Sequence, residues 1–409
     1  MAKPVGGKTG AKSRGKTTAL VHAKSLMAKS PFIDGHNDLP WVIREKTGPK
    51  GDVAGFGLAK QHNDGDTDIP RLRKGMVAGQ VFAAFVPSEI PHPGRATLEQ
   101  LDIIRRIGDT HPDVFHPVLR VADMARARKA RKIGMIMSVE GGVGLENSLS
   151  PLRIWHAMGA RLMTLCHNGT LDWCDSATDT ARHDGLTDFG RAVVAELNRL
   201  GMIIDCAHVS PKVMHDVLDA STAPIVFSHS NARALCPHPR NVPDDVIDRV
   251  PANGGIIMAT FISAFLNPAI VTWQEPLRAL GLDGYGPKWD AAVKAHEAAH
   301  GPCPTAALAD VATHIEYIAG RIGPQHLGIG SDFYGGPIMP DGLEDVSRFP
   351  NLIAELVRRG WSDRALIGLM GGNFLRVFKS VEGEGLRLRA TIAPLIGTIQ
   401  DYDGPEAAF

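Results

Sequence analysis

The stretch FIDGHNDLP, residues 32–40, runs from an apolar pair into two carboxylates and an imidazole. In an extended chain residues i and i+2 point to one side. His36 and Asp38 can therefore aim at one point while Asn37 faces away. An imidazole beside a carboxylate suits a divalent ion of borderline hardness; the plain alternative is a polar turn after a strand. Five further apolar runs end the same way: IGMIMSVE in Glu140, RLMTLCH in His167, MIIDCAH in His208, PIVFSH in His229 and LGIGSD in Asp332. Singly, each has an ordinary explanation as a hydrogen-bonded loop histidine or a helix-capping acid. Together they offer His36, Asp38, His208 and His229 as two pairs of terminal metal ligands, with Glu140 as a carboxylate able to bridge two ions. Two ions roughly 3.5–4 Å apart form a hydrolytic centre that acidifies water and polarises a carbonyl. His167 and Asp332 remain for oxyanion stabilisation and proton transfer.

Such a set works only if the elements carrying it converge. Candidate strands lie at 32–37, 79–86, 133–139, 161–166, 202–207, 224–229, 255–261 and 326–331, and six of these eight end in the residues above. Amphipathic helices fall between them. DFGRAVVAELNRLG carries Val193, Val194, Leu197 and Leu200 on one stripe and stops at Gly201. ALADVATHIEYIAGRIG and FPNLIAELVRRGW repeat the pattern. Strands alternating with helices predict a parallel sheet. Closed, it is a (β/α)8 TIM barrel, with its site at the C-terminal strand ends. An open doubly wound sheet is the alternative, although no glycine-rich dinucleotide fingerprint follows the first strand. Residues 31–409 are read as one catalytic domain. Residues 262–305 form an insertion on the loop side and contain a short helix at KWDAAVKAHEAAH. Residues 1–30, with six Lys, one Arg and no acid, are read as a basic, flexible arm ordered at most near its end.

Composition narrows the partners. Lys+Arg and Asp+Glu are both 44 in 409 residues, which argues against nucleic acid. No apolar run approaches a membrane span. The five cysteines contain no CxxC pair, which disfavours a disulfide framework or a cysteine zinc site and fits a reducing compartment. Cys166 and Cys206 close apolar runs and read as small core residues.

The stretches DGHNDLPW, SVEGG, CHN, AHVS, FSHSNAR, RNVPDD, GIGSDFYGGPIMPDGLEDVSRFPNLIAELVRRGW and NFLRVF resemble the renal (membrane) dipeptidase family and its bacterial members. The similarity spans nearly all the chain after Pro31. It implies a barrel of the metal-dependent amidohydrolase type holding two Zn2+, with Mn2+ or Co2+ as substitutes. His36 and Asp38 would bind one ion, His208 and His229 the other, and Glu140 both. On the same likeness His167 holds the substrate carbonyl and oxyanion, Arg240 binds the dipeptide carboxylate, and Asp332 relays a proton to the leaving amine. The expected substrates are free dipeptides, many with a D-residue at the C-terminal position. A homodimer is also implied. Two positions depart from the pattern: Tyr334 stands where relatives often carry a second Asp, and MATFISAF lacks the Tyr that mammalian members use on the carboxylate. With neither a signal peptide nor an anchor tail in view, a cytoplasmic enzyme is expected. A metal-dependent amidohydrolase acting on a cyclic amide, lactone or phosphoester is the same-fold alternative, and a catalytically silent binding barrel the alternative from another class.

Overall fold

A computed structural model describes residues 9–280, 287–336 and 338–407. Its strands are β1 (Phe32–Asp34), β2 (Val77–Phe85), β3 (Phe115–Pro117), β4 (Ile133–Glu140), β5 (Ala160–Thr164), β6 (Ile203–Asp205), β7 (Val226–Phe227), β8 (Ile256–Ala259) and β9 (Leu327–Ile329). All pair in parallel. The order β2-β1-β9-β8-β7-β6-β5-β4 closes on itself, because β2 also pairs with β4 from Gly79↔Gly134 to Phe85↔Glu140. The result is the (β/α)8 barrel, not the open sheet. Each of the eight anticipated strands is present. β3 was not anticipated: three residues long, it adds to the lower end of the β4 edge whose upper end takes β5.

Alternation along the strands divides the core in two. Ile33, Val81, Ile136, Leu162, Ile203 and Val226 belong to an inner cluster. Phe374, Val377, Phe378 and Val381 of the Asn373–Arg389 helix complete it. That helix plugs the bottom of the barrel, where Arg376 donates to Gly254 O and Gln325 O in the loops that lead into β8 and β9. The outer cluster joins the strands to the surrounding helices. Asp188–Leu200, Leu308–Ile322 and Phe349–Arg358 bury the faces their periodicity predicts. The first ends at Gly201, with φ 73°. Near the top of the lumen the wall closes too tightly for side chains. A Cβ on Gly330 would lie 1.7 Å from Ser228 O, and one on Gly35 2.5 Å from the Met258 side chain.

Residues 1–30 read in sequence as a flexible arm ordered at most near its end, and helical structure covers their described part. Thr9–Lys29 is a helix. Ala19, Ala23, Leu26 and Met27, spaced i, i+4, i+7 and i+8, are buried. The helix packs on Phe349–Arg358, and His22 pairs with Asp363 at 2.7 Å. A high lysine count hid the spacing of these apolar positions, beside which Lys24 and Lys29 stay exposed. Residues 1–8 lie outside the described residues. In the insertion, a turn at Ser263–Phe265 leads to helices Pro268–Arg278 and Pro287–His300, the second matching the expected KWDAAVKAHEAAH helix. Its residues 281–286 lie outside the described set. All five cysteines are free, with Cys166 and Cys206 fully buried.

Candidate metal centre

The strand ends bring His36, Asp38, Glu140, His167, His208, His229 and Asp332 to one mouth of the barrel. His36 and Asp38 turn inward together, their Nε2 and Oδ1 atoms 3.5 Å apart. Asn37 faces away, donating to Thr67 Oγ1 and accepting from Leu39 N–H. His208 and Asp332 reach the mouth through left-handed backbone, φ 70° and 65°. That conformation costs of order 1–3 kcal/mol at a non-glycine residue, so the surrounding structure must hold it. The Asp332 N–H donates to His36 O, and Asp332 O accepts from Gly335 N–H.

Glu140 stands between two groups of imidazoles. Its Oε2 lies 3.2 Å from His36 Nε2. Its Oε1 lies 3.1 Å from His208 Nε2 and 3.6 Å from His229 Nε2. The two imidazoles are themselves oriented. His208 Nδ1 lies 3.1 Å from Asn168 Oδ1, which only accepts, so that nitrogen carries the proton. Ser228 Oγ donates to Asp205 at 2.6 Å and therefore accepts from His229 Nδ1–H at 2.7 Å. Both rings present bare Nε2 lone pairs, 2.9 Å apart, toward a carboxylate oxygen. Lone pairs converging in this way repel one another unless a cation sits among them. In the other half His36 Nδ1, His36 Nε2 and Asp38 Oδ1 are buried without hydrogen-bond partners among the described residues. The donor set fits divalent ions of the zinc type. Within it, ligand atoms of His36–Glu140–His229, Glu140–His167–His208 and His36–Asp38–Asp332 each lie within 4.8 Å of one another.

The electrostatics differ across the mouth. Burial opposes a charge on His36, but Glu140 and Asp38 outweigh it and raise its pKa well above the ordinary value. Burial, aided by Arg240, holds His208 well below the ordinary value; burial and His36 do the same for His229. His167, half-buried and 4.5 Å from the Phe85 ring, is pushed down to about 3 by desolvation and the Arg240 charge. Burial raises Asp332 well above the usual carboxylate range, with Asp38 and Glu140 adding to it and His36 opposing.

Arg240 is 2 % exposed. One guanidinium nitrogen donates to His229 O at 3.3 Å, and Nη1 has no partner among the described residues. The Phe265 ring, at the root of the insertion, lies 5.4 Å below the guanidinium and 4.4 Å from His238. Sequence reasoning missed Phe265, Phe85, Asn168, Ser228, Asp205 and Asp34. Ser228 had stood in FSHS directly before the histidine it touches, and Asn168 in CHN, beside His167 but bonded to the distant His208.

A closed parallel barrel carrying these groups at its strand ends defines a metal-dependent hydrolase. The family model for membrane dipeptidase, peptidase family M19, matches residues 20–391. The chain belongs to that family of metallo-dipeptidases. It is 36% identical over 369 residues to dipeptidase 3 of Rattus norvegicus, covering 88% of this chain and 67% of the relative. Against dipeptidase 3 of Mus musculus it is 35% identical over 367 residues, covering 88% and 66%. The chain thus spans about two thirds of the length of these relatives. Among solved structures, the probable dipeptidase PvdM of Pseudomonas aeruginosa superposes with a TM-score of 0.79 at 26% identity, over 90% of this chain and 99% of that one. A metallopeptidase of Rhodobacter sphaeroides, solved with a phosphinate mimic of L-Ala-D-Ala, shares the fold with a TM-score of 0.70 at 23% identity, over 86% and 99%.

Proposed function

We propose that this chain is a binuclear zinc dipeptidase that cleaves free dipeptides and tolerates a D-residue at the C-terminal position. The observation that carries this reading is the pair of Glu140 oxygens, one facing His36 and the other facing His208 and His229. His36 with Asp38 would hold one ion and His208 with His229 the second, with Glu140 shared. Ions bound there supply an acidified water and a polarised carbonyl. The chain supplies the rest. His167, neutral at working pH, keeps an N–H to give to the carbonyl oxygen as charge develops on it. Arg240 has a buried Nη1, without a partner among the described residues, that can take one arm of a bidentate pair with the substrate carboxylate. Asp332, at 3.8 Å from His36 Nε2, would receive a proton from the attacking water and pass it to the amine, a poor leaving group until protonated. The Phe265 ring beneath the Arg240 guanidinium brings the insertion's root against the group that would bind the substrate carboxylate.

Mn2+ or Co2+ would satisfy the same donors. A cytoplasmic homodimer completes the reading, on the likeness to bacterial members. Among the described residues, no helix is long and apolar enough to cross a membrane. The R. sphaeroides ligand belongs to that protein, but it names a useful probe. Metal analysis should find two equivalents of zinc, and initial rates should show hydrolysis of L-Ala-D-Ala and L-Ala-L-Ala but poor hydrolysis of their amides. Arg240→Met should weaken binding of the free dipeptides by roughly 2–5 kcal/mol and leave the amides little changed. Full activity in metal-stripped protein would overturn the reading. Equal cleavage of acids and amides would remove Arg240 from its role.

A further inference from the structure

Beneath the mouth lies a buried acid that touches no reacting atom and is not among the ligands assigned above: Asp205, at the end of β6, with no exposed surface. It lies two residues on from Ile203 of the inner cluster, on the same side of the strand, so it points into the barrel lumen. Four donors converge on it. Oδ2 accepts from Thr164 Oγ1 at 2.5 Å and Ser228 Oγ at 2.6 Å. Oδ1 accepts from Ser228 N–H at 2.8 Å and Ala207 N–H at 3.0 Å. One carboxylate thus ties the ends of β5, β6 and β7. Because the Ser228 hydroxyl spends its proton on Asp205, it has only a lone pair to offer His229 Nδ1, 2.7 Å away. The ring can bond there only as its Nδ1–H tautomer, which leaves Nε2 bare and aimed at Glu140 and His208.

A second buried acid shows that this link is particular. Asp34, at the end of β1, accepts from Ser331 N–H and Ser331 Oγ, each at 2.7 Å, and from Gln80 Nε2 at 2.9 Å. Like Asp205, it holds the serine that precedes a site residue, here Asp332. But it shares a side of the wall with Phe32, which packs outward on Phe349, and its serine reaches only the His36 carbonyl. No imidazole tautomer depends on it.

We infer that Asp205, acting through Ser228, is a positioning residue that sets the tautomer and aim of His229 and so the affinity of the ion held by His208 and His229. The inference rests on the two-ion reading above. Groups that orient a metal-bound histidine are worth about 10–100-fold in metal affinity. Chelator competition on zinc-loaded full-length protein should therefore show one of two equivalents weakened about 10–100-fold in Ser228→Ala. Ser228→Thr, which restores the hydroxyl, should recover it. Ser331→Ala should leave both equivalents as in the wild type. In cobalt-loaded protein the ligand-field absorption should change for Ser228→Ala and not for Ser331→Ala. The inference is overturned if Ser228→Ala holds both ions like the wild type, or if the two alanine variants lose affinity alike. Should Ser228→Ala fail to fold, nitrogen NMR of zinc-loaded wild type labelled at histidine decides: a proton on Nδ1 of His229 supports the inference, and a metal-bound Nδ1 overturns it. A wild type that binds fewer than two ions would instead remove the two-ion reading.

Discussion

The two halves of the candidate metal centre both face Glu140 and are built on opposite principles. Around His36 the neighbours are acids: Asp38, Glu140 and Asp332 all lie within 4 Å of Nε2. Without an ion their mutual repulsion draws a proton onto the imidazole. Around His208 and His229 the neighbours are other imidazoles, the Arg240 charge and two hydrogen-bond acceptors behind the rings. Here the rings stay neutral and are held by their Nδ1–H groups. One half attracts a cation by net charge, and the other offers aimed lone pairs. A divalent ion suits both, because it replaces the proton in the first and relieves lone-pair repulsion in the second.

The most severe way to break the comparison is to remove what the halves share. Glu140→Gln keeps the shape but takes the charge from both. Metal content should fall in both halves and turnover by several orders of magnitude; a variant that keeps two ions and normal kcat would show that Glu140 does not bridge. Asp332→Asn should act on the chemistry alone. Losing a proton relay costs about 10²–10⁴-fold, so kcat should fall in that range with two ions retained and dipeptide KM nearly unchanged. Metal loss in this variant would make Asp332 a third ligand of the acid-rich half, a grouping its distances to His36 and Asp38 also allow. The smallest effect sharpens what burial does to an imidazole where it outweighs the one nearby acid, Asp310. His314 is 1% exposed, accepts from Ala232 N–H and donates to Leu266 O, and burial lowers its pKa to about 4. The unfolded chain takes up this proton near pH 6.5, before the folded one does. Stability should then fall as pH drops from about 6.5 to about 4, by up to roughly 3 kcal/mol from this residue. Chemical denaturation of the metal-free form of His314→Gln should show a flatter slope across that window. An unchanged slope would place the acid sensitivity elsewhere.

The paired clamps also left a signal in the sequence that is hard to weigh in one dimension. Strand β1 ends Ile-Asp-Gly-His and β6 ends Ile-Asp-Cys-Ala-His, while β7 and β9 each place Ser directly before a site residue. A buried acid below the candidate ligands, such as Asp34 or Asp205, looks there like any polar residue at a strand end. Only strand adjacency pairs Asp205 with Ser228 and Asp34 with Ser331, 297 positions apart in the second case. The N-terminal helix reads in sequence only as an arm ordered at most near its end, for a different reason. Its apolar stripe is narrow, and composition counted over all thirty residues gave the lysines more weight than the spacing of Ala19, Ala23, Leu26 and Met27.

By itself the sequence determined the elements and the chemistry they carry. Period-two and period-3.6 patterns are local properties, so eight strands, the principal helices and the residues ending each strand could be read without coordinates. Which of those residues meet was decided by closure of the barrel, when β2 paired with β4 and carried the strand ends to one mouth. The orientation of each candidate ligand also belonged to the tertiary structure. The choice between two imidazole tautomers is set by a hydrogen bond from the far side of the ring, and that partner is supplied by Asn168 for one histidine and by Ser228, through Asp205 on a neighbouring strand, for the other.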